Sequence, residues 1–409
     1  MKYVILLGDG MADYSIESLG NKTPLEASAT PNMNRIASEG TIGLIDTIPP
    51  GMTPGSDVAN LSVMGYDPIL RHTGRGPLEA ASMGLPLGFE DVAFRCNLVT
   101  ISGDEEPTME DFTAGHISSE EAAEIVKSLN GSLRTDHFVF YPGVGYRHLL
   151  VWKGGPADLD TTPPHDITGK SIQPHLPKGD MAPALIELME AAAKLLKNHP
   201  VNEARLKNAR RAVTSIWPWG QGKAPRMEPL TKRFGLRGGV ISAVDLLRGI
   251  GVYAGLEILP VEGATGYIDT NYSGKARTAL EFLKNGDFLF LHVEAPDEMG
   301  HEGNLDGKIH AIEDFDSKIV GALLEGLPSL GDFRIVVASD HPTPIALKTH
   351  VADPSPFAVL SSRKDENAAR GFAFSERDAK ASGIFITPGC RFIDHFIGDW
   401  RTIVGQSRA

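Results

Sequence analysis

The sequence is poor in cysteine. Cys96 and Cys390 are the only two in 409 residues, too few for a disulfide framework, and this usage fits a reducing, cytoplasmic setting. It also lacks any block rich in lysine and arginine. Acidic side chains outnumber basic ones by 52 to 39, for a net charge of −13, which argues against a nucleic-acid binder. An acidic chain can still take an anionic substrate where metal ions or local Arg and Lys reverse the field. No apolar run approaches the ~18 residues of a membrane span. The opening MKYVILLGDG is interrupted by Asp9 and reads as a buried strand rather than a targeting segment. There is no G-x-x-x-x-G-K-[ST] loop and no G-x-G-x-x-G after a strand. The EAASMG around Ser82 is not the G-x-S-x-G elbow of esterases. Internal repeats and low-complexity tails are missing as well.

The length, with 42% hydrophobic residues, provides for two or three structural units with full cores. Apolar runs at 3–7, 41–48, 239–242, 288–293, 334–339 and 357–360 read as strands. Helical patterns at 30–40, 57–64, 243–249 and 307–327 alternate with them. In the first helix, Thr30 is placed as N-cap, Pro31 opens the helix and Gly40 stops it. Such alternation implies an α/β domain with a mostly parallel sheet. The middle differs, with the Pro-rich TTPPHDITGKSIQPHLPKG and a charged helix over 181–197. The expected organisation is a core in two parts, 1–88 and 236–409, interrupted by a smaller α+β domain over 89–235.

Three strand ends carry one chemistry. The first strand ends at Asp9. The strand at 288–293 is followed by Asp297 and His301, four residues apart and so on one face of a helical turn. The strand at 334–339 runs into Asp340 and His341, with His350 beyond. Ligands of parallel α/β sheets bind outside the carboxyl ends of strands. One Asp after a strand is ordinarily a turn former; three such ends together argue for metal ligands. Mixed His and Asp donors suit Mn²⁺ or Zn²⁺ better than Mg²⁺, and six groups are enough for two ions. His292, inside a strand, and His310, inside a helix, read as structural.

Two metals at a sheet rim commonly serve phosphoryl transfer. A side-chain nucleophile would sit at a helix start, where backbone N–H groups also cradle phosphate. In MTPGSDVANLS that residue is Ser56, with Asp57 and Thr53 as local competitors. Metal coordination would activate this otherwise weak nucleophile.

The segments LLGDGMAD, PGSDVANLSVMGYDP, TGRGPLEA, EAPDEMGHEG and ASDHPTP together resemble the cofactor-independent phosphoglycerate mutases of the archaeal type, within the alkaline phosphatase superfamily. The resemblance implies an alkaline-phosphatase-like three-layer core with a smaller substrate-closing insertion, and two Mn²⁺-type ions. One ion would be held by Asp297, His301 and His350. The other would be held by Asp9, Asp340, His341 and the Ser56 oxygen. Ser56 would take the phosphoryl group from 3-phosphoglycerate and return it to the other hydroxyl, with no 2,3-bisphosphoglycerate required. Cations for the small phosphorylated substrate would be Arg147 with His148 beside it, Arg75 and Lys232; Arg suits bidentate phosphate or carboxylate contacts. The run Ser56-Asp57-Val58-Ala59-Asn60 departs from the Ser-Glu-Val-Gly-His of the better-known bacterial mutases. It points to a bacterial branch of the archaeal type, some members of which have been proposed to act as homoserine kinases. A homoserine kinase, a metal-dependent phosphatase or phosphodiesterase, and a non-catalytic binding protein are therefore the competing readings.

Overall fold

The computed structural model describes residues 1–103 and 105–406. The chain forms two compact units, one of Met1–His72 with Arg226–Ala409 and one of Thr73–Pro225. The division falls before and not after the helix Arg75–Ser82, because Ala80 of that helix shares an apolar cluster with Ala93, Leu149 and Val151. The helix Leu230–Phe234 lies in the larger unit, where Thr231 N bonds to Ala254 O.

Strands of the larger unit are β1 (Lys2–Gly8), β2 (Thr41–Ile45), β8 (Gly238–Ile241), β9 (Glu257–Ile258), β10 (Phe288–Val293), β11 (Phe333–Ala338), β12 (Ser355–Ser361) and β13 (Phe385–Ile386). They form one sheet in the order β13-β2-β12-β11-β1-β10-β8-β9. The central strands β8, β10, β1 and β11 are parallel, while β12 runs antiparallel to β11 and β2. Every residue of β10 and β11 is buried, as near-continuous apolar runs covered on both faces must be. One face packs Val4, Leu6, Leu291 and Val337 against Ile312, Phe315 and Leu323. The other sets Phe357 against Phe392 and Trp400. The mostly parallel sheet between helical layers is the core expected from sequence.

Two local expectations change. Pro31 does open the helix Pro31–Glu39, but Thr30 makes no side-chain cap. Buried Asp316 caps instead, accepting from Asn32 N at 3.2 Å and Met33 N at 2.7 Å. Asp316 also opens a π turn, Asp316–Val320, that divides the expected 307–327 helix into Leu305–Phe315 and Gly321–Gly326. A capping partner so distant in sequence leaves no local signal.

The smaller unit is an antiparallel sheet of β3 (Val92–Ser102), β4 (Thr108–Asp111), β5 (Phe138–Val144), β6 (Arg147–Trp152) and β7 (Ser215–Lys223), with β3 paired to β4, β6 and β7. Strand alternation sends Phe94, Cys96, Leu150 and Trp152 into a core with the helices Ser119–Leu133 and Ala182–Leu196. Ala93, Leu149 and Val151 face the other way. No described helix is long and apolar enough to cross a membrane.

Candidate active site

Parallel register aligns Gly8 with Val293 and Leu7 with Ala338. The residues that follow β1, β10 and β11 therefore leave the sheet along one edge. Asp9, Asp340 and His341, each 0% exposed, meet there. Asp340 Oδ1 accepts from Gly10 N at 3.2 Å and His341 N at 2.9 Å, and its Oδ2 accepts from Asn60 Nδ2 at 2.8 Å. His341 Nε2 lies 3.4 Å from Asp9 Oδ1 and 3.5 Å from Asp340 Oδ2.

Ser56 is the first residue of the helix Ser56–Val63, with Gly55 as N-cap. Its Oγ therefore caps nothing and lies 3.2 Å from His341 Nε2. Asn60, one turn on, bonds both Ser56 O (2.9 Å) and Asp340, so the helix start is tied to the strand end. Asp57, the competing nucleophile, pairs instead with His72 at 2.9 Å.

The second group follows β10. Asp297 and His301 share the helix Ala295–Glu302, with His301 Nε2 3.1 Å from Asp297 Oδ2. His350 Nε2 lies 3.4 Å from Asp297 Oδ1 and 2.9 Å from His301 Nε2. His301 Nδ1–H donates to Lys348 O at 3.0 Å, and Lys348 adopts φ +56° to present it. That bond occupies Nδ1 and leaves Nε2, which faces Asp297, as the ring nitrogen an ion could take in exchange for its proton. The His341 and His350 rings are 4.1 Å apart, so the two groups adjoin.

Within each of these triads the donor atoms lie within 4.8 Å of one another, and Asp9, His292 and Glu294 make a third such group. Sequence alone marks His292 as structural and gives Glu294 no role; the structure sets both beside Asp9. The signal was available: residues two apart at a strand end share a face. Burial first, then Lys275, holds His292 down at about 3. It is thus neutral, with Nδ1 facing Ser242 Oγ at 3.2 Å and Nε2–H donating to Asp9 Oδ2 at 2.8 Å. Asp9 Oδ1 is buried with no hydrogen-bond partner among the described residues. His310 is exposed and lies 3.7 Å from Asp314.

The electrostatics call for cations. Burial, then the carboxylates of Asp340, Glu294 and Asp297, push Asp9 well above the carboxylate range. Burial and Asp297 raise Glu294 to about 8. Burial also pushes Asp297 upward, but hydrogen bonds to His301 and His350 outweigh it and hold Asp297 well below its usual range. The same bond lifts His301 to about 9. Protons are held where positive charge is wanted, and divalent cations would displace them. The orphaned Asp9 oxygen and the converging imidazole nitrogens suit such ions.

A family model described as 2,3-bisphosphoglycerate-independent phosphoglycerate mutase matches residues 37–202. A probable 2,3-bisphosphoglycerate-independent phosphoglycerate mutase of Geobacter sulfurreducens is 53% identical over 395 residues, covering 96% of this chain and 99% of the relative. A 2,3-bisphosphoglycerate-independent phosphoglycerate mutase of Methanosarcina barkeri is 52% identical, covering 94% and 96%. The chain belongs to the 2,3-bisphosphoglycerate-independent phosphoglycerate mutases. Among solved structures, a Pyrococcus horikoshii protein at 29% identity matches with a TM-score of 0.82 over 98% of this chain and 97% of that one. A cofactor-independent phosphoglycerate mutase of Thermoplasma acidophilum, at 25% identity, matches with a TM-score of 0.67 over 97% and 99%.

For this family member, the cations expected to meet substrate separate into three cases. Arg75 and Arg147 lie in the smaller unit with Arg95, a residue the sequence alone does not single out. Arg147 is paired in register with Asn97, and Arg95 with Leu149, so both arginines project from one sheet face. The Arg95 guanidinium sits 4.4 Å from the Trp219 ring centre, with Nε 3.0 Å from Glu79 Oε1. Burial lowers the Arg95 pKa; Glu79 opposes this, and Arg75 and Arg147 add to it. Three guanidiniums thus share one neighbourhood. His148 points oppositely, into the core, because neighbours on a strand alternate. Its Nδ1 accepts from Gly143 N at 2.9 Å, and burial holds it at about 4. It is a neutral core residue and not an anion ligand. Lys232 is also not brought to the site. It is exposed on Leu230–Phe234, ahead of the amino end of β8, and its neighbour Arg233 bonds Gly65 O beyond the far end of the Ser56 helix.

Proposed function

We propose that this chain interconverts 3-phosphoglycerate and 2-phosphoglycerate, with Ser56 carrying the phosphoryl group and no 2,3-bisphosphoglycerate required. The observation that carries this reading is Ser56 Oγ at 3.2 Å from His341 Nε2, in a chain related over nearly its full length to proteins named as such mutases. Asp297, His301 and His350 would hold one divalent ion, and Asp9, Asp340 and His341 with Ser56 a second. Such ions, when bound, supply positive charge for the phosphoryl oxygens and ease ionisation of a hydroxyl. Mn²⁺ best suits mixed imidazole and carboxylate donors, with Zn²⁺ or Mg²⁺ as alternatives.

The chain's own groups do the rest. The amino end of Ser56–Val63 offers backbone N–H groups and a helix dipole suited to phosphoryl oxygens. Ser56 Oγ bonds to phosphorus as the bond to the glycerate oxygen breaks; the proton lost by Ser56 is balanced by the one the freed glycerate hydroxyl gains. The glycerate's other hydroxyl then displaces Ser56, which recovers its proton. Arg75, Arg95 and Arg147 supply cations for the anionic groups of such a substrate.

The test is an enolase-coupled assay on 3-phosphoglycerate with Mn²⁺, run beside homoserine with ATP and an aryl phosphate. Turnover of 3-phosphoglycerate that disappears in EDTA is expected. Homoserine phosphorylation alone would overturn the mutase reading while sparing the site.

A further inference from the structure

Thr343 is 0% exposed, and its hydroxyl lies between the two groups of candidate ion ligands. It bonds Asp297 Oδ1 on one side and faces His341 Nδ1 at 3.2 Å on the other. An ionised carboxylate only accepts, so the Thr343 proton points at Asp297. The hydroxyl's lone pairs then face His341, whose Nδ1 must carry the ring proton and donate it. The His341 Nε2 lone pair is thereby turned toward Ser56 Oγ at 3.2 Å, Asp9 Oδ1 at 3.4 Å and Asp340 Oδ2 at 3.5 Å.

The rest of Thr343 is fixed just as firmly. Its N donates to Ala12 O at 3.1 Å, and its O accepts from buried Lys308 Nζ at 2.9 Å. Lys308 also bonds Asp13 at 2.8 Å. A Cβ at Gly300 would lie 2.8 Å from the Thr343 methyl, and one at Gly10 would lie 2.6 Å from its hydroxyl. Two glycines thus make room for this side chain. No such enclosure is needed for a residue that merely turns the chain after β11.

We infer that Thr343 is a positioning residue that sets the tautomer of His341 and couples the two ligand groups through one hydroxyl. Outer partners of metal ligands act in this way in general. The coupling rests on the two-ion reading above; the tautomer does not.

Thr343→Val keeps the shape and removes the hydroxyl, and Thr343→Ser restores it. With the full chain, equilibrium dialysis against Mn²⁺ should give two tight ions for wild type and for Thr343→Ser. Thr343→Val should weaken uptake by about 10–100-fold. In ¹⁵N-histidine NMR of the metal-free chain, His341 should carry its proton on Nδ1 in wild type and Thr343→Ser. In Thr343→Val it should shift to Nε2 or a mixture. If Thr343→Val keeps both the tautomer and the Mn²⁺ affinity, the inference is wrong. If Thr343→Val fails to fold, Thr343→Ser decides: His341 protonated on Nε2 in that variant also overturns it. A wild type that binds one ion with the Nδ1–H tautomer intact would sink the two-ion reading and leave the positioning role standing.

Discussion

The carboxyl rim of the larger unit and the arginine-bearing sheet face of the smaller one solve opposite problems by the same means. Each brings like charges together and removes part of their water. On the rim the crowded charges are carboxylates, and burial with mutual repulsion raises Asp9 and Glu294. On the sheet face they are guanidiniums, and burial with repulsion from Arg75 and Arg147 lowers Arg95. The rim therefore favours cations and the face favours anions. A net charge of −13 reveals neither, since a total does not record which charges are made neighbours. The construction differs too. The rim side chains stand on loops and helix starts beyond strand ends, held by backbone N–H groups such as that of Gly10. Arg95 and Arg147 stand within strands, where alternation fixes their direction.

The largest expected effect is at the rim. Ser56→Ala should lower turnover by roughly 10⁴-fold or more while metal content, measured by mass spectrometry, stays at the wild-type level. Loss of metal along with turnover would make Ser56 a ligand only. Asp297→Asn comes next: one bound ion should be lost, and kcat should fall about 10³-fold, or ~4 kcal/mol of transition-state charge stabilisation. An intact metal complement would separate Asp297 from the ion.

The sheet face should respond in KM. Arg95→Gln removes a charged hydrogen-bonding group worth ~1.5–3 kcal/mol. It should raise KM for 3-phosphoglycerate about 10–100-fold with a smaller change in kcat; an unchanged KM would reduce the cluster to surface charge. His148→Gln should leave KM within about twofold and alter the pH dependence of stability. Folded His148 titrates near 4, below its ordinary 6.5. As pH falls through 6.5 the unfolded chain takes up a proton that the folded chain refuses, so stability is present above 6.5 and is lost toward 4. Urea midpoints across that window should fall less steeply in the variant. Smallest of all, Lys232→Ala should change stability by less than about 0.5 kcal/mol and leave turnover alone; a large fall in turnover would return that lysine to the site.

Much of the rim was legible because its candidate ligands follow strands that announce themselves as apolar runs. Asp9, Asp297 and Asp340 each follow such a run, and parallel register does the gathering. His292 was hidden because a histidine inside an apolar strand reads as packing, and Glu294, just past Val293, has no local feature that marks it. Arg95 was obscured by the ten other residues of β3, mostly apolar, and only the alternating faces of the strand set it apart. His148 shows the converse error: adjacency in sequence to Arg147 suggested shared duty, and the period of two separates them. Asp316 acts on Asn32 and Met33, and Thr343 reaches Asp297 as well as nearby His341; no short window of sequence contains both ends of the Asp316 or Asp297 contacts.

The central claim is that distant segments gather around one hydroxyl that carries the phosphoryl group. Rapid quenching of the Mn²⁺-loaded protein during turnover of 3-phosphoglycerate, followed by peptide mass spectrometry, tests it most directly. Phosphoserine at position 56 is the predicted result. Turnover with that peptide unmodified, or with the phosphoryl group on Thr53 or Asp57, would contradict it.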